Sequence, residues 1–369
     1  MKHSPKQTKL FVLLPNLDMG GAERVVVTML SYFDRLSFDI HLVIFGTADG
    51  ALASEIPSDI KVTAFGKPRL IRALPPLIQL IWQERPKVVF SNLSYINLML
   101  STIKQFLPLN TRIVVRESSI VSINTRAYYL WRVWWILYVL FYRRLDFIVC
   151  ESAAMRDDLL TNFFIPISKS SIIFNPLDVS KIRRLSRAKP IGRKLQKLKN
   201  KVRFVSVGNL RAEKRFDRLL QALALIPNDR ISIDIIGEGR EKSTLQLLCE
   251  ELGIGDRVNF RGFQKNPYGW IAGSDALILS SDYEGAPNVV LEVLCLGVPV
   301  IATPAGGGVQ EMLAGRNDCV IANGYTPCAL AKAIETWMAI EKRGVFQDNL
   351  ENYEASHIVR KHEAIFLGS

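Results

Sequence analysis

Residues 274–313 read SDALILSSDYEGAPNVVLEVLCLGVPVIATPAGGGVQEML. A short apolar run at Ala276–Leu279 is followed by a polar loop, an apolar stretch of helical length and a second short run at 299–302. Short apolar runs that are bounded by polar or glycine-rich turns predict buried strands. A glycine loop and another helical stretch follow the second run. The segment therefore predicts a βαβ unit of a parallel α/β sheet, with a decorated loop after each strand.

The loop before the predicted helix favours an anion. Pro287 suits the first helical position, where its missing N–H costs no hydrogen bond, and Gly297 suits the position past the helix end. The first-turn amides and the helix dipole attract negative groups, most often phosphate. Glu284 precedes the helix and Glu292 lies within it, and ionised carboxylates accept hydrogen bonds from sugar hydroxyls. The alternative is that Glu284 is a turn residue and Glu292 a solvated helix residue.

The order of these features resembles the C-terminal signature of the retaining GT-B glycosyltransferases, family four (glycosyl transferases group 1). Glu284 and Glu292 are separated by seven residues that include G-A-P-N-V, and G-V-P-V-I-A-T and a glycine triplet follow. The resemblance implies an α/β GT-B fold, in which two Rossmann-like domains face each other across a cleft. It also implies transfer of a sugar from a nucleotide diphosphate donor with retention, with Glu284 holding sugar hydroxyls and Glu292 ribose hydroxyls.

A second loop in this half carries positive charge. Val202–Val207 predicts the first strand of a second domain, and G-N-L-R-A-E-K follows it. Arginine and lysine on such a loop can neutralise a diphosphate. Relatives commonly have G-R-L-x-x-x-K, so Lys214 matches, Asn209 occupies the usual arginine position, and Arg211 is predicted to supply the missing cation. The segment 258–263 resembles the element that borders the base pocket.

The first half contains a matching glycine turn. A strand is predicted at 10–14, and Gly20 and Gly21 lie between it and a helix, where adjacent glycines allow close backbone approach to a ligand. G-x-G-x-x-G is absent, so a nicotinamide site is not predicted. The string G-G-A-E-R resembles the family's N-terminal loop, which faces the donor across the cleft. The alternative is a structural glycine turn.

The predicted strand at 112–115 ends at a group of polar residues. Glu117 and Ser118 follow it, at the end where open α/β sheets bind ligands. Many relatives carry a histidine near this point that contacts sugar or acceptor. Glu117 is predicted either to orient an acceptor hydroxyl or to form a surface pair with Arg116.

Most of the candidate site residues lie in loops after strands or at helix starts, and Glu292 lies within a predicted helix. The candidate catalytic residues are charged and comprise Glu284, Lys214, Arg211 and Glu117. The candidate substrate-binding residues are Gly20, Gly21, Asn209, Gly262, Phe263, Gly285, Ala286, Pro287, Asn288, Val289, Glu292 and Gly307. The cations and the amides at the Pro287 and Gly307 helix starts would stabilise the departing diphosphate. The resemblance implies that the donor phosphate takes the acceptor proton.

No cofactor or metal is predicted, and the nucleotide sugar is a co-substrate. No D-x-D motif lies in a loop, and the four histidines and five cysteines lack ligand spacing. The cysteines contain no C-x-x-C pair and lie mostly in apolar stretches, which indicates free thiols in a reducing compartment. The N-terminal sequence predicts no signal peptide.

Length and composition predict two globular domains. The chain has 369 residues, of which 49% are hydrophobic. We expect an N-terminal Rossmann-like acceptor domain at 1–177, a C-terminal donor domain at 178–352, and a helix at about 353–369 that packs back on the first domain.

The formal charge of +12 is concentrated in one strip. Residues 181–203 hold 11 lysines and arginines and no acid, so the remainder has 36 basic against 35 acidic residues. A nucleic-acid partner is not predicted, because a binder would spread basic charge over a face with interleaved aromatics. The strip is either a solvated helical face or a contact with anionic lipid.

Residues 128–142, YYLWRVWWILYVLFY, form the most apolar segment. Spanning a bilayer takes about 20 apolar residues, so a transmembrane helix is not predicted. The segment is either a buried helix or an Arg-flanked aromatic helix in the membrane interface.

Together these features predict a cytoplasmic enzyme, peripheral at the inner face of the cell membrane. Its acceptor would be a glycan or lipid-linked glycan of polysaccharide or lipopolysaccharide assembly. The alternatives are an epimerase- or phosphorylase-type enzyme of the same fold and a non-catalytic glycan- or membrane-binding module.

Overall fold

The computed structural model describes residues 7–18, 20–67, 69–126, 129–188, 202–227, 231–340 and 350–368. Most of the basic strip, at 189–201, lies outside the described residues, as do the first six residues and Tyr128. The chain divides into two compact units. Unit 1 comprises Met1–Leu177 and Glu351–Ser369, and unit 2 comprises Asp178–Leu350.

The strands and helices alternate along the chain. The strands are β1 (Thr8–Leu14), β2 (Phe38–Ile44), β3 (Lys61–Ala64), β4 (Val88–Ser91), β5 (Arg112–Arg116), β6 (Phe147–Cys150), β7 (Ser170–Ile172), β8 (Val202–Val207), β9 (Ile231–Ile236), β10 (Val258–Gly262), β11 (Ala276–Leu279), β12 (Val300–Ala302) and β13 (Val320–Ile321). The helices are α1 (Gly21–Tyr32), α2 (Leu70–Glu84), α3 (Ser94–Ile103), α4 (Val121–Arg126), α5 (Trp131–Phe141), α6 (Ala153–Phe163), α7 (Val179–Ala188), α8 (Phe216–Ala224), α9 (Lys242–Glu251), α10 (Tyr268–Ala272), α11 (Asn288–Cys295), α12 (Val309–Leu313), α13 (Pro327–Met338) and α14 (Ala355–Leu367).

Unit 1 is a parallel sheet with helices on both faces. Its strand order is β3-β2-β1-β4-β5-β6-β7. Residues of α2, α3, α5 and α6 share one core with Phe11 and Leu13, whereas α1 and α14 share the other with Leu10, Val12 and Leu14. Successive side chains of a strand point to opposite faces, so β1 fills both cores. This explains why it reads as a continuous apolar run.

The apolar stretch at 70–82 predicts a helix that is interrupted at Pro75 and Pro76, but helix α2 runs through both prolines without interruption. A proline inside a helix removes the hydrogen bond to the carbonyl four residues earlier. Those carbonyls belong to Ile71 and Arg72, which are exposed, so water can bond them. The prolines lie in the second turn, and only two bonds are lost.

Unit 2 repeats the design with the strand order β10-β9-β8-β11-β12-β13, also parallel. The predicted α/β class with two parallel sheets is therefore confirmed. In each unit the strand order reverses direction once, between β1 and β4 and between β8 and β11. Open α/β sheets bind ligands at the carboxyl ends of the strands beside such a switch point.

Candidate active site

The switch point of unit 2 brings together a lysine and a glutamate that are far apart in sequence. Lys214 follows β8, and Glu284 follows the adjacent strand β11. The Lys214 Nζ lies 2.7 Å from both carboxylate oxygens of Glu284. The Ser281 hydroxyl donates to Glu284 Oε1 at 2.6 Å. Two candidate catalytic residues are thus in direct contact.

The two loops that carry this pair are joined by further bonds. The Ser280 hydroxyl donates to the Lys214 carbonyl at 2.9 Å, and the Asp282 amide donates to the Glu213 carbonyl at 3.0 Å. The Lys214 side chain is 28% exposed, whereas Glu284 is 8% exposed. The Glu284 carboxylate is held by its bonds from Ser281 and Lys214. The Lys214 ammonium is exposed enough to contact an anion at the edge of the sheet.

Gly307 sets the position of the Glu284 loop. Its φ is +104°, and a Cβ at this position would lie 1.8 Å from the Glu284 carbonyl oxygen. The Glu284 amide donates to the Gly306 carbonyl at 2.9 Å, and the Gly308 amide donates to the Gly285 carbonyl at 2.7 Å. A side chain at Gly307 would force the loops after β11 and β12 apart. Its proposed contact with phosphate remains a prediction.

Helix α11 begins one residue later than predicted. Pro287 is its N-cap, with φ −67° and ψ 112°, and Asn288 is the first helical residue. The ring fixes φ at a helical value, but the extended ψ keeps Pro287 outside the helix. Ala286 and Pro287 are buried, and Asn288 and Val289 are half-buried in the first turn.

Glu292 lies one turn further along α11. It is 7% exposed, and its Oε1 accepts a hydrogen bond from the Tyr268 hydroxyl at 3.1 Å. The alternative of a solvated helix residue is therefore wrong for Glu292. The alternative of a simple turn residue does not account for the buried, ion-paired Glu284 either.

The remaining candidates of unit 2 lie along the same edge. Gly262 has φ +69°, and its carbonyl accepts from the Gly237 amide at 2.9 Å. A Cβ on Gly237 would lie 1.9 Å from the Gly208 carbonyl oxygen. The loops after β8, β9 and β10 therefore pack side by side. Three candidates on these loops have exposed side chains; they are Asn209, Arg211 and Phe263.

Unit 1 carries a buried polar cluster that the sequence did not predict. Arg116 donates to Glu151 Oε1 at 2.5 Å, to Asn175 Oδ1 at 2.6 Å and to Asn92 Oδ1 at 3.3 Å. The predicted surface pair of Arg116 with Glu117 is wrong, because Arg116 is fully buried and paired with Glu151. Neighbouring residues at a strand end point to opposite faces, which separates Arg116 from Glu117.

The sequence contains one signal from which this cluster could have been predicted, namely polar residues that follow apolar strands. Asn92 and Glu151 follow directly after the apolar strands β4 and β6, and Asn175 follows β7 by a few residues. Polar residues at the carboxyl ends of adjacent parallel strands meet at one edge of the sheet. The positions of these polar residues after predicted strands can be seen in the sequence, but which of them contact each other depends on the strand order.

Glu117 lies within the core on the other side of the strand end. Its carboxylate accepts from Ser94 Oγ at 2.5 Å, from Asn97 Nδ2 at 2.7 Å and from the Tyr142 hydroxyl. Burial raises the pKa of Glu117 to about 7, although the bonds from Ser94 and Asn97 oppose the rise. A role for Glu117 in orienting an acceptor remains a prediction. Since the side chain is fully buried, it would act through a neighbour such as Ser94.

The glycine turn lies at the switch point of unit 1. Gly20 is the N-cap of α1, and Gly21 is its first residue. The Asn92 side-chain amide donates to the Ala22 carbonyl at 2.9 Å, which joins the end of β4 to the start of α1. The turn is thus part of a carboxyl edge, where the proposed ligand contact remains a prediction. Within the described ranges, no group of three or more metal-ligating side chains is present.

Comparison with known proteins assigns both halves of the chain. Residues 19–181 match the model of Glycosyltransferase Family 4, and residues 189–354 match that of Glycosyl transferases group 1. Among solved structures, Anabaena HepE in complex with UDP-glucose has a TM-score of 0.78 at 20% identity, covering 98% of this chain and 100% of that chain. WaaG, a glycosyltransferase involved in lipopolysaccharide biosynthesis, has a TM-score of 0.73 at 16% identity, covering 98% and 100%.

Two relatives by sequence carry specific names. The N-acetylgalactosamine-N,N'-diacetylbacillosaminyl-diphospho-undecaprenol 4-alpha-N-acetylgalactosaminyltransferase of Campylobacter jejuni is 29% identical over 320 residues, which are 82% of this chain and 83% of the relative. The lipopolysaccharide core biosynthesis glycosyltransferase LpsE of Rhizobium meliloti is 32% identical over 135 residues, which are 37% of this chain and 39% of the relative.

The fold and the matched models define a glycosyltransferase of the GT-B class. The chain belongs to the glycosyl transferases group 1, with a family four N-terminal half.

Proposed function

We propose that this enzyme transfers a sugar from a UDP-sugar, with retention of anomeric configuration, to a lipid-linked glycan in cell-surface polysaccharide or lipopolysaccharide assembly. The observation that carries the proposal is the contact between Lys214 and Glu284 at the switch point of unit 2. An ammonium that is partly exposed beside a buried carboxylate offers one group for a diphosphate and one for sugar hydroxyls.

The diphosphate charge is met by the loop after β8 and the start of α11. Lys214 and the exposed Arg211 supply cations. The first-turn amides of α11 add the positive end of a helix dipole. The N-cap residue Pro287 makes no side-chain hydrogen bond to these amides. These groups stabilise the charge that develops as the bond between sugar and diphosphate breaks. The nucleotide sugar is a co-substrate, and we expect full activity in the presence of EDTA.

Retention is supported by how Glu284 is held. Both of its oxygens accept from Lys214, and one also accepts from Ser281. This arrangement positions the carboxylate for sugar hydroxyls and does not require it to act as the base. In the proposed step, the acceptor oxygen bonds the anomeric carbon on the face from which the diphosphate departs. An oxygen of that diphosphate takes the acceptor proton.

We assign the nucleotide to the carboxyl edge of the unit 2 sheet, beside α11. Glu292 is oriented by Tyr268, and it would accept hydrogen bonds from the ribose hydroxyls. Gly262 and Phe263 would border the base. The choice of UDP is supported by the solved HepE complexes, which contain UDP, UDP with glucose, or UDP-glucose.

The acceptor class is supported by the names of relatives. The Campylobacter relative acts on a glycan diphospho-undecaprenol, and others are named for lipopolysaccharide core or Vi polysaccharide biosynthesis. An acceptor of this type is held in a bilayer, so the enzyme would work peripherally at a membrane face. In the described part of the chain, no helix is long and apolar enough to cross a bilayer.

The proposal is tested first by a thermal-shift series with UDP, GDP, ADP and several UDP-sugars. A ligand that binds only the folded state raises Tm. We expect a selective rise with UDP, which Glu292→Ala removes. Glu284→Ala should keep the UDP shift and lower turnover by about 100-fold or more, because it loses a contact to the reacting sugar. A rise with GDP or ADP alone would contradict the UDP assignment, and normal turnover in Glu284→Ala would contradict its role.

A further inference from the structure

Helix α5 is apolar on both of its faces. Its inner side packs against the core through Trp134, Leu137 and Tyr138. Its outer side consists of Trp131, Val133, Trp135, Ile136 and Leu140, whose exposed fractions range from 37% to 59%. We call these five residues the aromatic surface. Contiguous exposed apolar side chains of this size indicate a surface that another partner covers.

The segment that carries the aromatic surface has only positive charges. Residues 118–145 contain four arginines and no acid. The four are Arg126, Arg132, Arg143 and Arg144, and each has an exposed side chain. Arg132 lies over the Trp131 ring at 5.4 Å, and Arg144 lies over the Phe141 ring at 4.6 Å.

The apolar area continues beyond α5. Arg144 donates to Gln105 Oε1 at 3.1 Å, and the adjacent Phe106 is 61% exposed. The Phe106 carbonyl accepts from the indole N–H of Trp82 at 2.9 Å, and Trp82 is 44% exposed. Helices α2, α3 and α5 share one core and so lie on one side of the sheet. Exposed aromatic rings therefore extend along this side.

We infer that the aromatic surface binds the interfacial region of a bilayer that contains anionic lipid. Tryptophan favours the headgroup boundary, and arginine is attracted to anionic lipid. With 11 residues, α5 is about 16 Å long, roughly half the hydrocarbon thickness of a bilayer. It therefore lies in the interface and does not span it. A second copy of the chain fits less well, because an isologous contact would bring the same four arginines together.

The inner side of α5 connects this surface to the carboxyl edge of the sheet. The Tyr142 hydroxyl, just after α5, donates to Glu117, and the Tyr138 hydroxyl donates to the Ser94 carbonyl at 3.2 Å. Glu117 and Ser94 follow β5 and β4 at the edge where such sheets bind ligands. A bilayer on the outer side of α5 lies close to that edge. The inference rests on the proposed function only for the claim that this bilayer holds the acceptor.

The test is flotation of the full chain with vesicles of phosphatidylglycerol and phosphatidylcholine, compared with vesicles of phosphatidylcholine alone. The double variant Ile136→Glu with Leu140→Glu should lower the partition coefficient at least about tenfold, since two charges would enter the apolar layer. Both positions are exposed, so we expect the double variant to fold. The matched control is Leu36→Glu, which is 80% exposed in the turn between α1 and β2 and should bind like the parent.

A second pair of variants separates the electrostatic part. Arg143→Gln and Arg144→Gln should each reduce binding to the phosphatidylglycerol vesicles about fivefold and leave binding to phosphatidylcholine alone unchanged. Absence of vesicle binding by the parent protein, or equal binding by the double variant, would overturn the inference. So would a parent dimer that the double variant converts to a monomer in light scattering, because a second copy would then cover the surface.

The same samples are tested for the UDP thermal shift. Vesicle binding without a UDP shift would refute the proposed donor and leave the docking surface standing. A UDP shift without vesicle binding would support the proposed donor and overturn the docking surface.

Discussion

Each sheet ends in an ion pair at its carboxyl edge, but the two pairs differ in exposure. In unit 1, Arg116 and Glu151 have side chains that are 0% and 4% exposed. In unit 2, Lys214 and Glu284 are 28% and 8% exposed. The first pair is further enclosed by the Asn92 and Asn175 side chains, whereas the second accepts a hydrogen bond from the Ser281 hydroxyl.

The difference separates a structural pair from a pair that can change partners. Removing two charges from water is unfavourable unless hydrogen bonds satisfy both groups, and Asn92 and Asn175 provide such bonds for Arg116 and Glu151. An arginine suits this task because its planar donors are fixed. Lys214 is a flexible point charge at the surface, so it can contact Glu284 and an incoming phosphate. We therefore expect the first pair to control stability and the second to control activity.

The largest effect is expected from Arg116→Met. The variant leaves the Glu151 carboxylate buried without its cation, and loss of one partner of a buried pair lowers the free energy of unfolding by about 3–5 kcal/mol. The matched control Lys214→Met removes a partly exposed cation and leaves Glu284 with its bond from Ser281, so the loss should be smaller than in Arg116→Met. Urea unfolding followed by circular dichroism measures both. Equal losses in the two variants would show that the pairs do not differ as proposed.

The next largest effect is expected from Glu117, which is buried and follows Arg116 in the chain. Its pKa in the folded protein is about 7, above the ordinary value of 4.5, because of burial. Between these values the folded state holds a proton that the unfolded state releases, so the free energy of unfolding falls as pH rises. The contribution is fully present below about pH 4.5 and is lost as pH passes 7, and it amounts to about 3 kcal/mol.

Glu117→Gln should remove this dependence. The difference in free energy of unfolding between parent and variant is the quantity to measure, since other groups titrate equally in both. We expect that difference to shift in favour of the variant between pH 5 and pH 8. A difference that is constant over this range would show that Glu117 is ionised throughout.

The strands were predictable because of their burial. β8 and β11 have the bounds that their apolar runs predict, since parallel strands covered on both faces show continuous rather than alternating hydrophobicity. The continuity of helix α2 was harder to predict than the strands, because the effect of Pro75 and Pro76 depends on whether the carbonyls that lose their hydrogen bonds face water. The two interpretations of the apolar segment at 128–142 each describe one side of α5.

The site was predictable as a set of loops but not as a set of pairs. Motif resemblance predicts Glu284 and Lys214 as site residues, and their contact follows from the adjacency of β8 and β11. Arg116 and Glu151 are 35 residues apart, and only the pairing of β5 with β6 brings them together. Side-chain direction at a strand end decided between Glu117 and Glu151 as the partner of Arg116. β5 extends one residue beyond the predicted strand at 112–115, to Arg116, and the alternation of side chains along the strand then separates Arg116 from Glu117.

The smallest effect is expected within the open site of unit 2, from Tyr268→Phe. The Tyr268 hydroxyl is buried and donates to Glu292 at 3.1 Å, so it positions the carboxylate proposed to bind ribose. Loss of one such bond is worth about 1 kcal/mol, which predicts a rise in the Kd for UDP of about fivefold. Isothermal titration calorimetry measures this rise. Tyr32→Phe, which removes the hydroxyl of a half-buried tyrosine of α1 in unit 1, is the matched control and should leave Kd unchanged.

A nucleotide without ribose hydroxyls distinguishes positioning from general loosening of the site. With 2′,3′-dideoxy-UDP, Glu292 has no hydroxyl to accept from, so its orientation no longer matters for binding. The parent protein and Tyr268→Phe should then bind with the same Kd. A fivefold loss that persists with the dideoxy nucleotide would mean that Tyr268 supports the proposed nucleotide site as a whole, and unit 2 would then depend on a buried polar contact as unit 1 does.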